Sequence, residues 1–174
     1  VIQYRDKTND STRRETIARA LNALCRERGV PFLINDDVRL AGTIGAAGVH
    51  LGRDDADVGA ARAALGPTAL IGVSCYNELT RALAAQAAGA DYVAFGRFFP
   101  SRTKPQALPA TPELLRAARG ALKIPIVAIG GITPENGAAL IAAGADALAA
   151  IEGVFGQTDI RAAAERYARL FDAS

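Results

Sequence analysis

AAQAAGADYVAFG, residues 84–96, is the stretch on which the fold turns. Its first half is rich in Ala, the strongest helix former. Gly89 follows that run and suits a left-handed position just past a helix end. Tyr92–Gly96 is then short, apolar and strand-like. The four residues Ala88-Gly89-Ala90-Asp91 recur as Ala143-Gly144-Ala145-Asp146, again between a helical run and a strand-like run, Ala147–Ile151. A unit that closes a helix and opens a strand, used twice, is the mark of repeated βα units and a parallel sheet.

Working outward, five further strand-like runs stand at Val1–Arg5, Phe32–Asn35, Gly48–Leu51, Leu70–Ser74 and Ile126–Gly130. They are mostly continuous in apolar character, as expected of parallel strands covered on both faces. Helix starts are expected at Thr12 with Glu15 as a capping box, and at Asn77, Thr111, Thr133 and Asp159. Pro112 and Pro134 suit the first helical position. Gly29 and Gly144, like Gly89, suit helix ends. An open doubly wound sheet and a closed barrel both fit this alternation. No G-x-G-x-x-G fingerprint follows any strand, which favours the barrel. The expected fold is α/β, a TIM (β/α)8 barrel in one domain over residues 1–174. About seven βα units are legible, so the first β-α unit is expected to be missing at the amino end.

Composition excludes several function classes. Aromatics are 6% of the chain, too few for a nucleic-acid stacking platform. The net charge of +2 calls for neither a polyanion nor a membrane surface. No apolar run reaches membrane-spanning length and no signal peptide is visible. Cys25 and Cys75 read as a reduced cytoplasmic pair.

Active sites of such barrels form at the carboxyl ends of the strands. Listing what stands there places Arg5, Lys7 and Lys104 as cations on one rim, with Asp36 and Asp55 as anions. Ser74, Ser101, Thr103 and Gly131 add hydroxyl or glycine positions. Cations and backbone donors bind phosphate. Two carboxylates beside phosphate ligands suggest Mg²⁺. Each residue also has a structural reading: Lys and Arg as solvated strand ends, Asp as helix N-caps (Asp37 and Asp54 above all), Ser74 as a turn hydroxyl, Gly131 as a tight turn.

The motifs Gln-x-Arg-x-Lys (Gln3, Arg5, Lys7), Asn-Asp (Asn35, Asp36), His-x-Gly-x-x-Asp (His50, Gly52, Asp55), Gly-Val-Ser (Gly72–Ser74), Pro-[Ser/Thr]-x-Thr-Lys (Pro100–Lys104) and Ile-Gly-Gly-Ile (Ile129–Ile132) stand in this order. In that order they resemble the thiamine-phosphate synthase family, from Val1 to about Phe171. The resemblance implies a transferase that joins a pyrimidine diphosphate to a thiazole phosphate with Mg²⁺, acting on small molecules, without nucleic acid or membrane. It implies that the Gln3–Lys7 segment, Tyr4 and Asp6 included, grips the pyrimidine diphosphate together with Asn35, Ser74 and Lys104. Asp36 and Asp55 are implied as metal ligands, and Arg5, Lys7, Ser74 and Lys104 as catalytic. Ser101, Arg102, Thr103, Gly131, Ile151 and Glu152 are implied on the thiazole phosphate. Glu152 departs from a family Ser, and a carboxylate beside phosphate is repulsive unless it points away. A thiazole tautomerase on the same fold carries a His shortly after the Gly-x-Ser strand; here Cys75 and Tyr76 stand there. A non-catalytic phosphate-binding barrel fragment and a sugar-phosphate isomerase or aldolase are the other readings. His50, the only His, is either a packed, orienting residue or a catalyst.

Overall fold

The computed structural model describes residues 1–53, 57–100 and 109–172. The chain divides into two compact units: Val1–Ser74 with Ala88–Asp91, and Cys75–Ala87 with Tyr92–Ser174.

In the first unit β1 (Ile2–Tyr4), β2 (Phe32–Asn35), β3 (Gly48–Leu51) and β4 (Leu70–Tyr76) lie side by side in chain order, all parallel; the last two residues of β4 belong to the second unit. Helices α1 (Ser11–Glu27), α2 (Val38–Ile44) and α3 (Val58–Leu65) connect them. In the second unit α4 (Leu79–Ala87) precedes β5 (Tyr92–Phe95), which pairs in parallel with β6 (Ile126–Ile129), and β6 with β7 (Ala147–Ala149). Helices α5 (Pro112–Ala121), α6 (Pro134–Ala142), α7 (Glu152–Phe155) and α8 (Ile160–Asp172) complete it.

The repeated Ala-Gly-Ala-Asp has one physical job in both places. Gly89 and Gly144 take φ of 90° and 116°, as a helix exit requires. The aspartate that follows then clamps the start of the preceding strand. Asp91 donates its N–H to the Ile71 carbonyl (2.8 Å) and accepts the Ile71 N–H on Oδ2 (2.7 Å). Asp146 does the same at Ile126, both at 2.8 Å. An arginine one helix back completes each clamp: Arg62 of α3 pairs with Asp91 at 2.7 Å, and Arg119 of α5 with Asp146. Backbone groups that lack a strand neighbour at that end are thereby satisfied.

The cores follow from the apolar runs. In the first unit Phe32, Leu33, Ile34, Val49, Leu51 and Ile71 are essentially inaccessible; in the second, Val93, Phe95, Leu115, Ile126 and Leu140 are. Burial of such side chains contributes about 1.5–3 kcal/mol each. Gly48 allows β3 to lie against β4, since a Cβ there would strike the Leu70 carbonyl.

Three local expectations are corrected. The N-cap of α1 is Asp10, whose Oδ1 accepts the Arg13 N–H at 2.8 Å, not Thr12; Glu15 instead pairs with Arg19 one turn on. Asp competes better than Thr for this position. Asn77 caps nothing, because β4 runs on to Tyr76 and α4 starts only at Leu79. Ser74 and Cys75 therefore lie inside a strand and not at its end. Thr133 and Asp159 cap α6 and α8, while Thr111 stands at the N-cap position of α5 without a side-chain capping bond. Asp37 caps α2, its Oδ1 accepting the Leu40 N–H at 2.8 Å. Cys25 and Cys75 are both buried and unbridged. Among the described residues no helix is long and apolar enough to cross a membrane.

Candidate functional site

Register decides which side chains share a face of the first unit's sheet. Gln3 is level with Leu33, Asn35 with His50, and His50 with Gly72. Side chains alternate along a strand and neighbours in register point the same way. Gln3, Asn35, His50 and Ser74 therefore stand on one face, toward its carboxyl end. Tyr4 stands on the other, its ring stacked on Phe32 with centroids 6.4 Å apart.

Two contacts tie this polar face together. Gln3 Nε2 donates to Asn35 Oδ1 at 2.8 Å, and His50 Nε2 lies 2.8 Å from Ser74 Oγ. Because Asn35 Oδ1 accepts from Gln3, the Asn35 amide turns its Nδ2 donor the other way. His50 is 8% exposed. Its carbonyl accepts the Asp36 N–H at 2.8 Å. Asp36 follows Asn35 at φ 66°, a left-handed conformation that Asp tolerates better than most residues. This breaks the strand's alternation and turns the carboxylate toward Lys7, whose ammonium pairs with it. Asp36 is 23% and Lys7 57% exposed, so the pair sits at the surface and not in the core.

The rest of the Gln3–Lys7 segment builds its own loop. Asp6 accepts from the Thr8 N–H (2.8 Å), the Tyr4 hydroxyl (3.1 Å) and Arg13 (2.8 Å). These bonds, the Thr8 backbone N–H first, hold the Asp6 carboxyl at about 2, below the usual carboxylate range. Burial first, then the bond to Asp6, pushes the Tyr4 hydroxyl up. Tyr4 and Asp6 are thus anchors of the segment, while Gln3 and Lys7 carry its outward chemistry.

In the second unit Gly130 and Gly131, at φ 103° and 63°, end β6. A Cβ on Gly131 would strike the Pro100 carbonyl, so the missing side chain admits the 99–100 backbone. Ile151 caps the single-turn helix α7 and both it and Glu152 are exposed. The Glu152 carboxylate folds back along α7: a Cβ on Gly156 would lie 2.8 Å from Glu152 Oε1. Cys75, one residue past Ser74, is buried, and desolvation pushes its thiol up to about 12. Asp55, Ser101, Arg102, Thr103 and Lys104 lie outside the described residues. Among the described residues no cluster of three or more acidic, His or Cys groups could hold a metal.

Parallel strands in chain order, each followed by a helix, with amide, carboxylate and ammonium groups near carboxyl strand ends, define an α/β protein of the TIM-barrel class. The fold matches a solved thiamine phosphate pyrophosphorylase from Pyrococcus furiosus, with a TM-score of 0.90 at 35% identity over 99% of this chain and 82% of that one. Residues 1–154 match the family model of thiamine monophosphate synthase. The thiamine-phosphate synthase of Nitrosococcus oceani is 57% identical over 171 residues, 98% of this chain and 79% of that protein. That of Thioalkalivibrio sulfidiphilus is 54% identical over 172 residues, 99% of this chain and 82% of that protein. The chain belongs to the thiamine monophosphate synthase family, and as such is a transferase of thiamine biosynthesis.

Proposed function

We propose that the chain condenses 4-amino-2-methyl-5-(diphosphomethyl)pyrimidine with thiazole phosphate, giving thiamine phosphate and diphosphate. The observation that carries the residue assignment is the shared polar face of Gln3, Asn35, His50 and Ser74 beside the Asp36–Lys7 pair. The bond from the pyrimidine methylene to the diphosphate oxygen breaks, and the diphosphate departs with the electron pair. The thiazole nitrogen then gives its lone pair to the resulting cation and forms the new C–N bond. A neutral ring nitrogen needs no general base, and a site with one His and no exposed Cys suits that.

In this reading Arg5, Lys7 and Lys104 neutralise charge growing on the leaving group. Asn35 presents its amide donor to the diphosphate and Ser74 its hydroxyl. Gln3 fixes the Asn35 amide; Tyr4 and Asp6 hold the segment that carries Arg5 and Lys7. Ser101, Arg102, Thr103, the Gly131 turn and the Ile151–Glu152 backbone take the thiazole phosphate. The Glu152 carboxylate, folded toward Gly156, leaves that backbone unopposed.

Asp36 suits a hard cation: it is an oxygen donor at the surface, and a cationic group, the Lys7 ammonium, already sits against it. Asp36 and Asp55 would hold Mg²⁺, which when bound supplies positive charge to diphosphate oxygens. The tautomerase alternative lacks support, since the thiol after Ser74 is buried and raised to about 12, far from a proton shuttle at neutral pH. An aldolase amine needs a desolvated pocket, and Lys7 is 57% exposed and ion-paired. The same reading treats residues 1–174 as one barrel domain working in the cytoplasm, where two unbridged thiols are at home.

The test supplies both substrates and follows thiamine phosphate and diphosphate. Equimolar appearance of the two, suppressed by a chelator and restored by Mg²⁺, is expected. Turnover untouched by the chelator would remove the metal role from Asp36 and Asp55. Isomerisation of a thiazole without diphosphate release would overturn the synthase reading.

A further inference from the structure

We infer that Tyr167 is a positioning residue for the thiazole phosphate: its hydroxyl, reaching in from α8, holds the Gly131–Ile132 turn against the backbone at Gly153, so that the two segments meet the phosphate as one surface. The inference rests on the preceding reading that the Gly131 turn and the Ile151–Glu152 backbone take that phosphate. It brings in a helix that none of the sequence motifs includes.

The carbonyls of Gly131 and Ile132 are each bonded by a side chain. Asn136 Nδ2 donates to the Gly131 carbonyl at 3.1 Å, while its Oδ1 accepts the Thr133 N–H at 2.8 Å. Tyr167 Oη donates to the Ile132 carbonyl at 2.7 Å. A trans peptide directs its N–H opposite to its C=O. Holding the Gly131 carbonyl on Asn136 therefore turns the Ile132 N–H away from α6. Gly153 stands against the other half of this arrangement. A Cβ there would overlap the Tyr167 hydroxyl and come within 3.1 Å of the Ile132 carbonyl oxygen. Gly153 is not among the glycines with positive φ, so close approach and not backbone conformation requires the missing side chain. One hydroxyl thus stands between the turn after β6 and the segment after β7.

The packing of α8 on α6 keeps that hydroxyl in place. Gly137 of α6 admits the Leu148 and Leu170 side chains, which a Cβ there would strike, and Arg166 pairs with Glu135 across the same two helices. Burial first, and the Glu135 carboxylate after it, push the Tyr167 hydroxyl up, so it is a donor at neutral pH. Tyr167 is 8% and Ile132 3% exposed. Without the hydroxyl, the Ile132 carbonyl is a buried acceptor that has lost its donor, and it is driven to move toward water. That movement shifts the turn off Gly153 and changes the separation of the two backbone segments. A phosphate carries its oxygens at fixed spacing, so donors from two segments serve it best at one separation, set before it arrives. The phosphate is remote from the bond being made, so its binding is the same in ground and transition states and its loss appears in KM.

Tyr167→Phe keeps the ring in the core and removes only the hydroxyl. In steady-state kinetics it should raise KM for thiazole phosphate about tenfold, with kcat and KM for the pyrimidine diphosphate within about twofold. With the thiazole alcohol, which lacks the phosphate, wild type and variant should agree within about twofold. Equal losses for the phosphate and the alcohol mean a merely structural role and refute the inference. Gly153→Ala gives a second reading. In the wild type its methyl meets the hydroxyl and should raise KM for thiazole phosphate about tenfold; in the Tyr167→Phe background the further rise should be at most about threefold, because the obstructing atom is gone. The same full rise in both backgrounds also refutes the inference. Titration with thiazole phosphate followed by ¹H–¹⁵N spectra needs no turnover and reports the fold of each variant. The Ile132 and Gly153 amides should shift together in the wild type, at lower ligand concentration than in Tyr167→Phe. If they do so while the wild type releases no diphosphate with both substrates present, the synthase reading fails and the inference stands. Normal turnover with no phosphate-dependent loss in Tyr167→Phe has the opposite meaning.

Discussion

Asn35 shows how much one atom's direction can decide. Gln3 Nε2 donates to its Oδ1, and in the proposed reading that leaves the amide nitrogen as the group presented to the diphosphate. Asn35→Asp keeps the size and the acceptor for Gln3 but replaces that donor with a negative oxygen. Against a diphosphate the change swaps a hydrogen bond for a repulsion, and unpaired or opposed charged partners cost about 2–5 kcal/mol. We expect kcat/KM for the pyrimidine diphosphate to fall at least ~100-fold, with an unchanged melting temperature; Asn35→Ala, which only deletes the donor, should lose less. Steady-state kinetics of the two variants settle the order, and an aspartate variant better than the alanine one would contradict the assignment. Asp6 makes a quieter prediction. Its carboxyl is depressed to about 2 by the Thr8 N–H first, with Tyr4 and Arg13 adding to it. A depressed carboxyl contributes stability that is fully present above its unfolded value near 4 and lost as pH falls toward 2. In Asp6→Asn that portion of the acid limb should vanish, so wild type and variant should differ at pH 6 and converge near pH 2 in acid-unfolding curves. Its ionic partner Arg13 is half exposed, so the difference should be modest.

At the scale of elements, the Ala-Gly-Ala-Asp clamp is the feature with a measurable consequence. Asp146 accepts the Ile126 N–H at 2.8 Å and pairs with Arg119. Asp146→Ala leaves the N–H of a fully buried strand residue without its acceptor, a loss of about 1–3 kcal/mol. Asp146→Asn can keep the acceptor oxygen while losing the ion pair, which at this half-exposed position is worth about 0–1 kcal/mol. Denaturant midpoints of the two variants should therefore separate clearly, with Ala far below Asn. The repeat was visible in the sequence, and so were its helix-ending glycines, because a left-handed position excludes most other residues. The job of its aspartate was not visible, since that depends on which strand starts beside it. Strand cores such as Phe32–Asn35 and Gly48–Leu51 were legible to the residue, because continuous apolar character leaves little choice. The start of α1 was not: Asp10 and Thr12 are both good caps, and only the backbone geometry at Asp10 (φ −83°, ψ 91°) separates them. The extension of β4 through Cys75 and Tyr76 was missed for the same reason, as polar Ser74 looks like a strand end until His50 is found beside it.

For the whole molecule the same distinction applies to the site and yields its most general test. Residue types at strand ends, in motif order, carried the expectation of phosphate and a hard cation. What the order of residues cannot express is the pairing among them: Gln3 with Asn35, Lys7 with Asp36, His50 with Ser74, each bridging 20 to 35 positions of chain. The Lys7–Asp36 pair has a consequence for binding. If diphosphate alone arrives, Lys7 must be drawn from Asp36 and the carboxylate is left facing an anion. If it arrives with Mg²⁺, the carboxylate gains a cation as the ammonium turns to phosphate, so charge stays balanced at every contact. Binding to the folded protein raises its stability by RT ln(1 + [L]/Kd), about 2.7 kcal/mol at a hundredfold excess over Kd. We therefore expect inorganic diphosphate with Mg²⁺ to raise the melting temperature by several degrees, and diphosphate with a chelator to raise it little. In Asp36→Asn the difference between the two conditions should collapse, because the carboxylate that distinguishes them is gone. Equal stabilisation of the wild type with and without Mg²⁺ would show that Lys7 and Asp36 are a surface ion pair and nothing more, whatever the enzyme does elsewhere.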